Sequence, residues 1–448
     1  MTDLFAARSQ MAMSLGFHIL FAAVGIGMPL LMVIAEGLWI RTGDPLYKAL
    51  CHRWAKGTAI LFAVGAVSGT ALSFELGLLW PEFMALAGPI IGMPFSLEGF
   101  AFFSEAIFLG IWLYGWDKVS PRAHWAAGWA VAASGALSGA FVVCANAWMN
   151  DPQGFTMVDG VVTEIRPFEA MFNASSFPQA LHMTLAAYSA LGFAVAGVHA
   201  WALLKRPGHP LHRRAFGIAL AVGGVAALLQ PLSGHHSAQH IAEHQPVKLA
   251  AAEAHWETGP RAPALVGGWA DEEAEETRYA LEIPWLLSVM SFNDPDAVVM
   301  GLKDVPREDR PPVAVTHLAF DVMVGAGTLM AGVAALAGLL AWRRRELLAD
   351  PRLYKLVVFA SPMGMIAIEA GWVVTEVGRQ PWIIRGVMRT SEAVTPMPQL
   401  QVPFMVFTAL YVVLGLVVVR LLQRQVFATV DGEGAGLDAG EHEEGPHA

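Results

Sequence analysis

A chain of 448 residues that is 55% hydrophobic and only 15% charged, with a mean hydropathy of +0.49, lacks the surface charge of a soluble protein, which would be about 25% charged. Its formal net charge of −10 offers nothing to a nucleic acid. The two cysteines, Cys51 in a basic stretch and Cys144 in an apolar one, are too few for a cysteine-rich metal site and poorly placed for a disulfide.

Apolar runs fall near 12–40, 55–86, 94–116, 122–148, 178–204, 214–233, 314–342, 355–378 and 401–424. A hydrocarbon core needs about 20 residues of helix, so these predict an all-α polytopic bundle of nine transmembrane spans. Arg8 precedes the first run, but that run is too long for a signal-peptide core and has no small-residue cleavage site, so it reads as span one.

Basic residues set the orientation. Arg41, Lys48, Arg53 and Lys56 follow span one; Lys118 and Arg122 follow span three; Lys205, Arg206, Arg213 and Arg214 follow span five. Arg343, Arg344, Arg345, Arg352 and Lys355 follow span seven, and Arg420 and Arg424 end span nine. All lie on one side, which the positive-inside rule makes cytoplasmic, with the N-terminus outside and the C-terminus inside. Arg379, Arg385 and Arg389, after span eight, are the exception.

Four regions result: spans one to six over 1–233, an outer loop over 234–313, spans seven to nine over 314–424, and a Gly-rich acidic tail over 425–448, expected to be disordered. The loop is too long for a passive connection and predicts function. Its acidic run Asp271, Glu272, Glu273, Glu275 and Glu276 reads as a solvated helix face. No internal repeat points to a transporter built from inverted halves.

Charge within a bilayer is costly and persists mainly where it works or is paired. On the orientation above, His18, Glu75, Glu82, His182 and Glu376 lie towards the outer ends of their spans, and Met323 about two turns into span seven. Glu98 is expected to open span three from outside, with Glu105 two turns deeper. Glu369 and Glu376, seven residues apart, share one helix face, and the Gly378–Trp382 stretch ends that helix with a fixed charge at Arg379. Imidazole at His182 and thioether at Met323 have the chemistry of haem-iron ligands, against a satisfied interfacial histidine and a packing methionine. His236, His240 and His244 recur at i, i+4, a spacing that suits a metal, with His235 beside them. No carboxylate is placed to complete that set, and a solvated loop is the expectation there.

Five stretches carry a family resemblance. EVGRQPW (Glu376–Trp382), HLAFDVMVGAG (His317–Gly327), SLGFHILFA around His18, LEGFAFFSEA around Glu98 and Glu105, and QPVKLAAAEAHWET (Gln245–Thr258) resemble subunit I of cytochrome bd quinol oxidase, a haem protein that reduces oxygen to water. The resemblance implies His182 and Met323 as ligands of a low-spin haem, His18 and Glu376 as ligands of two high-spin haems, and Glu98 and Glu105 as an acidic pair beside them. Lys248 and Glu253 map onto residues of quinol oxidation, Arg379 suits haem propionates, and Trp372 lies one turn before Glu376, between the haems. Two haem b, one low-spin and one high-spin, and one haem d (or a third haem b in its place) are implied as cofactors. Ubiquinol or menaquinol is the implied donor and O2 the acceptor. The implied partners are a second membrane subunit and a small single-helix subunit, and the implied location is the inner membrane of a prokaryote.

Asp321 departs from members with a basic residue there, and Glu253 to Met323 is the short-loop spacing. Asp117, Ser138, Glu105 and Glu98 form a candidate proton path from the cytoplasm. Two other readings stand beside the oxidase: a haem-free proton-coupled carrier or channel, and a structural cytochrome b subunit with the low-spin haem alone.

Overall fold

A computed structural model describes residues 2–424; the acidic tail lies outside the described residues. Among those residues nine helices are long and apolar enough to cross a membrane: Asp3–Thr42, Pro45–Leu79, Pro81–Tyr114, Pro121–Asn150, Ser176–Lys205, Pro210–His244, Val313–Arg343, Pro351–Val377 and Gln401–Leu422. We call them spans one to nine. Several start in the same way. Asp44, Ser120 and Asp350 cap a backbone N–H of the first turn, and a proline follows at the first helical position, where its missing N–H costs nothing. Gly43, at φ 71°, closes span one in the left-handed region. Span eight breaks into Pro351–Ala360 and Met363–Val377 across Ser361–Pro362.

Three boundaries differ from the sequence expectation. Hydropathy runs without a break through 55–86, yet the helix stops at Leu79 and a new one begins at Pro81, with Trp80 at the joint. Glu82, not Glu98, therefore opens span three, and Glu98 lies 17 residues into it. Span two begins at Pro45, so Cys51 is a fully buried helical residue rather than part of a basic loop. Span six runs on to His244, because its hydrogen-bond ladder continues after its apolar character ends. The histidines at 235, 236, 240 and 244 are thus helical, which corrects the expectation of a solvated loop.

The bundle has a basic end and, opposite it, a loop end built from 245–312. The loop carries a short helix, Pro246–Ala252, and three antiparallel strand pairs: Gly259–Pro260 with Val298–Val299, Ala264–Val266 with Leu281–Ile283, and Trp269–Asp271 with Glu276–Arg278. The acidic run is the tip of the last pair, not a helix face. Arg307 and Arg310 each hold Glu275 at 2.8 Å, which fastens that tip to the base of span seven.

Small residues set the closest approaches, as expected where helices associate by packing rather than by leaving water. A Cβ at Gly192 (span five) would lie 2.4 Å from Gly223 Cα (span six), and one at Gly364 (span eight) 2.3 Å from Ala190 Cα. Both contacts are with backbone, which cannot rotate away. Gly192→Ala is therefore expected to cost about 1–3 kcal/mol, seen as a lower unfolding temperature of the purified protein; an unchanged midpoint would show that the two helices can part there without penalty.

Candidate functional site

His18, His182, Met323 and Glu376 lie in the loop-end halves of spans one, five, seven and eight, next to the loop that carries Lys248 and Glu253. His18 and His182 are held by the same arrangement. His18 Nδ1 lies 3.0 Å from Ser68 Oγ, and Ser68 donates its single proton to Gly65 O at 3.1 Å. His182 Nδ1 lies 3.0 Å from Ser233 Oγ, which donates to Gln230 O at 3.0 Å. With the hydroxyl proton committed to a backbone carbonyl, each serine can only accept from the imidazole. This arrangement favours a proton on Nδ1 and a lone pair on Nε2, although at His182 the Gln230 amide nitrogen lies 3.3 Å from Nδ1 as well. A neighbour fixing one ring nitrogen so that the other can bind metal is the usual support for a histidine ligand. Glycines make room for both rings: a Cβ at Gly69 would lie 2.9 Å from His18 Cε1, and one at Gly234 3.4 Å from His182 Cε1. Gln230 Nε2 lies 3.2 Å from His182 Nε2, the one polar side chain within reach of that lone pair among the described residues.

Span eight packs against both span five, which carries His182, and span seven, which carries Met323. Its Gly371 gives the thioether room, since a Cβ there would stand 3.1 Å from Met323 Sδ. Trp372 packs in a small cluster with Ile19 and Ile368, between spans one and eight. Glu369 reaches span one, with Oε2 3.2 Å from where a Gly16 Cβ would be, while its Oε1 has no hydrogen-bond partner. It lines an apolar cavity of about 550 Å³ with Leu20, Leu318, Val322, Met365 and Trp269 of the loop.

Glu376 lies at the centre of a buried polar chain. Arg379 Nη2 donates to its Oε2 at 2.5 Å, and Asn146 Nδ2 donates to its Oε1. Asn150, one turn along span four, donates to Asn146 Oδ1 at 3.0 Å and to Asn146 O at 2.9 Å. Lys248 Nζ, on the loop helix, donates in turn to Asn150 Oδ1. Arg385 Nε donates to Asn150 O at 2.6 Å. Arg379 is 4% exposed, and its Nε and Nη1 find no acceptor among the described residues. Two buried guanidinium N–H groups without an acceptor are costly unless an anion meets them. Haem propionates are anions of the right kind, so these residues fit the group.

Neither Lys248 nor Glu253 is the exposed surface pair that a solvated loop helix would carry; they are 6% and 5% exposed. Burial, helped by Arg379 and Arg385 and opposed by Glu376, pushes the Lys248 ammonium well below its ordinary pKa. Burial, helped by Asp321 and opposed by the Leu265 N–H, raises the Glu253 carboxyl to about 7. Asp321, the departure noted in the sequence, accepts from Gly267 N at 3.0 Å, and His317 contacts Ala252 O at 2.8 Å and Gly267 O at 3.1 Å. Both tie the loop to span seven around Glu253.

Glu98 and Glu105 face span four. Ser138 Oγ donates to Glu98 Oε1 at 3.2 Å, and Glu105 fills a notch left by Gly25 and Gly135. Asp117 is exposed just past the end of span three, at the basic end. Between it and Glu105 lies a group the sequence reading missed. Fully buried Glu36 contacts His124 Nδ1 at 2.7 Å and accepts from Trp112 Nε1 at 2.7 Å. Asn146, Asn150, Ser68 and Ser233 were missed too. The one sequence signal was the i, i+4 asparagine pair in an apolar helix.

The family model for cytochrome bd terminal oxidase subunit I matches residues 6–430. The chain belongs to that family. It is 39% identical over 430 residues to a putative cytochrome bd menaquinol oxidase subunit I of Bacillus subtilis, covering 94% of this chain and 96% of that one. It is 33% identical over 441 residues to a cytochrome bd ubiquinol oxidase subunit 1 of the same organism, covering 95% and 94%. The solved bd oxidase of Geobacillus thermodenitrificans superposes with a TM-score of 0.90 at 41% identity, covering 95% of this chain and 98% of that one. The chain is accordingly a haem-bearing, multi-pass subunit of a terminal oxidase in the cytoplasmic membrane, and the haem-free carrier reading falls.

Proposed function

We propose that this subunit oxidises quinol at its loop end and passes the electrons to oxygen within the bundle. The observation that carries the reading is the unbroken chain Lys248–Asn150–Asn146–Glu376–Arg379, which links the loop helix to the centre of the bundle. Haem, when bound, supplies the electron transfer and the oxygen chemistry. His182 and Met323 would hold a low-spin haem b. His18 would hold one high-spin haem and Glu376 the other, a haem b and a haem d or two haem b, with Arg379 meeting propionates and Trp372 between the sites. A second membrane subunit completes the complex, together with a small single-helix subunit.

The protein's own groups handle the protons. Quinol, ubiquinol or menaquinol, must lose two protons with its two electrons. Glu253, buried and titrating near neutrality, is suited to take one, which is general-base chemistry. Lys248, whose charged form burial disfavours, reaches Asn150 from the loop helix and is placed to orient the ring oxygen. The cavity walled by Trp269, Leu318 and Glu369 has the size and apolar lining a quinone ring or its tail needs. With the loop outside, the protons leave outward. Protons for water formation enter from the basic end at Asp117 and pass Glu36 and His124 to Glu105, Glu98 and Ser138.

The reduced-minus-oxidised visible spectrum of the complex with its second subunit tests this directly. Haem b bands with a red-shifted chlorin band, or three haem b per complex by pyridine haemochrome, are the expected results. A single haem b would leave only the structural cytochrome reading.

A further inference from the structure

We propose that the loop end carries a binding site for a divalent transition cation of the zinc class, made by Asp151, His240 and His244. Asp151 follows the last residue of span four, while the two histidines are one turn apart at the end of span six. One ligating atom from each lies within 4.8 Å of the other two. Neither the proton path nor the electron path described above uses any of them.

The details favour a cation over a packing contact. The two imidazoles stack with centroids 4.1 Å apart and planes 20° from parallel, which holds them side by side next to Asp151. His244 Nδ1 lies 3.1 Å from the His240 carbonyl, which can only accept, so Nδ1 carries the proton and Nε2 keeps a lone pair. Ser175 Oγ bridges the other two ligands, 2.6 Å from His240 Nε2 and 3.5 Å from Asp151 Oδ2. It can serve as a fourth oxygen or turn aside. Two imidazoles and one carboxylate suit zinc and its neighbours, and leave calcium and magnesium, which need oxygen shells, poorly served.

Two groups compete for the carboxylate. Arg385 Nη2 reaches Asp151 Oδ1 at 3.3 Å and Gln153 Nε2 donates to Oδ2 at 3.1 Å. Arg385 is also held by the Asn150 carbonyl through its Nε, so losing the longer contact to Asp151 would not release it. A bound cation would pin the end of span six to the end of span four. His244 is followed directly by Gln245 and the loop helix that carries Lys248, so the pin would sit at the joint on which that helix hangs.

The test uses the purified two-subunit oxidase with its haems. After treatment with a chelator, excess ZnCl2 and desalting, metal content is measured for wild type and for His240→Gln/His244→Gln. Wild type is expected to keep one more zinc per complex than the double variant, with the haem spectra of the two unchanged. Thermal unfolding should shift upward with zinc in wild type alone. Should the double variant fail to assemble, His244→Gln, which forfeits the contact with the His240 carbonyl and the stacking on the His240 ring, is expected to weaken zinc binding at least about tenfold. Equal zinc content in wild type and an assembled variant, or none in wild type, overturns the site. The readout is metal content, so it stands or falls independently of the quinol chemistry.

Discussion

Met323→Leu is expected to remove the low-spin component of the reduced-minus-oxidised spectrum and to lower quinol-driven oxygen uptake at least about a hundredfold. Leucine keeps the volume that Gly371 of span eight makes room for, and such swaps cost less than about 1.5 kcal/mol in packing. Only the thioether is lost. The high-spin haems, on His18 and Glu376 in the present assignment, should stay spectroscopically intact, which separates loss of one ligand from collapse of the bundle. A full low-spin signal in an assembled Met323→Leu complex would remove Met323 from the ligand set. His182, held by Ser233, would then need another partner.

Glu253→Gln should have opposite effects on turnover and on stability. In wild type, turnover is expected to rise with pH through about 7, as Glu253 loses its proton and becomes able to accept one from quinol. The glutamine variant should be slower by about a hundredfold or more, with that rising limb gone. For stability the sign reverses. A carboxyl whose pKa is raised from 4.5 to about 7 binds its proton more tightly folded than unfolded, so its contribution falls as pH rises across that window. Glutamine, neutral and of similar shape, escapes the cost of a buried charge. At pH 8 the variant should therefore unfold at a temperature equal to or above that of wild type. A variant with normal turnover, or one that is slow because it unfolds early, would contradict the role of base.

The spans and the loop were legible because composition and length alone decide what can cross a bilayer. The residues proposed as haem ligands and quinol-site groups, His18, His182, Met323, Lys248, Glu253 and Glu376, were singled out through resemblance rather than through spacing. Their supports were not. Ser68, Ser233, Asn146 and Asn150 are small polar residues in apolar helices, where most such residues simply bond to their own backbone. Nothing local distinguishes the four whose partners lie on another span. Glu36 and His124 are 88 positions apart and meet only when spans one and four pack. The joint at Trp80–Pro81 was hidden for a different reason: both sides of it are apolar, so a turn at the membrane surface leaves no dip in hydropathy. The helical end of span six failed in the opposite sense, since histidines and glutamine read as loop although the backbone ladder continued through them.

The shared serine device has a consequence for how the subunit is made. An imidazole left to itself divides its proton between two nitrogens, and capturing iron on the wrong tautomer requires that proton to move first. Here the apoprotein biases the choice, because the only proton on Ser68 and on Ser233 is already given to Gly65 and to Gln230 on the same helix. The two rings are inclined to one form, whatever the order in which cofactors arrive during assembly. If the rings hold iron as proposed, specificity at these positions resides in a turn of a neighbouring helix, two groups away from it, and a threonine there could preserve it while an alanine could not.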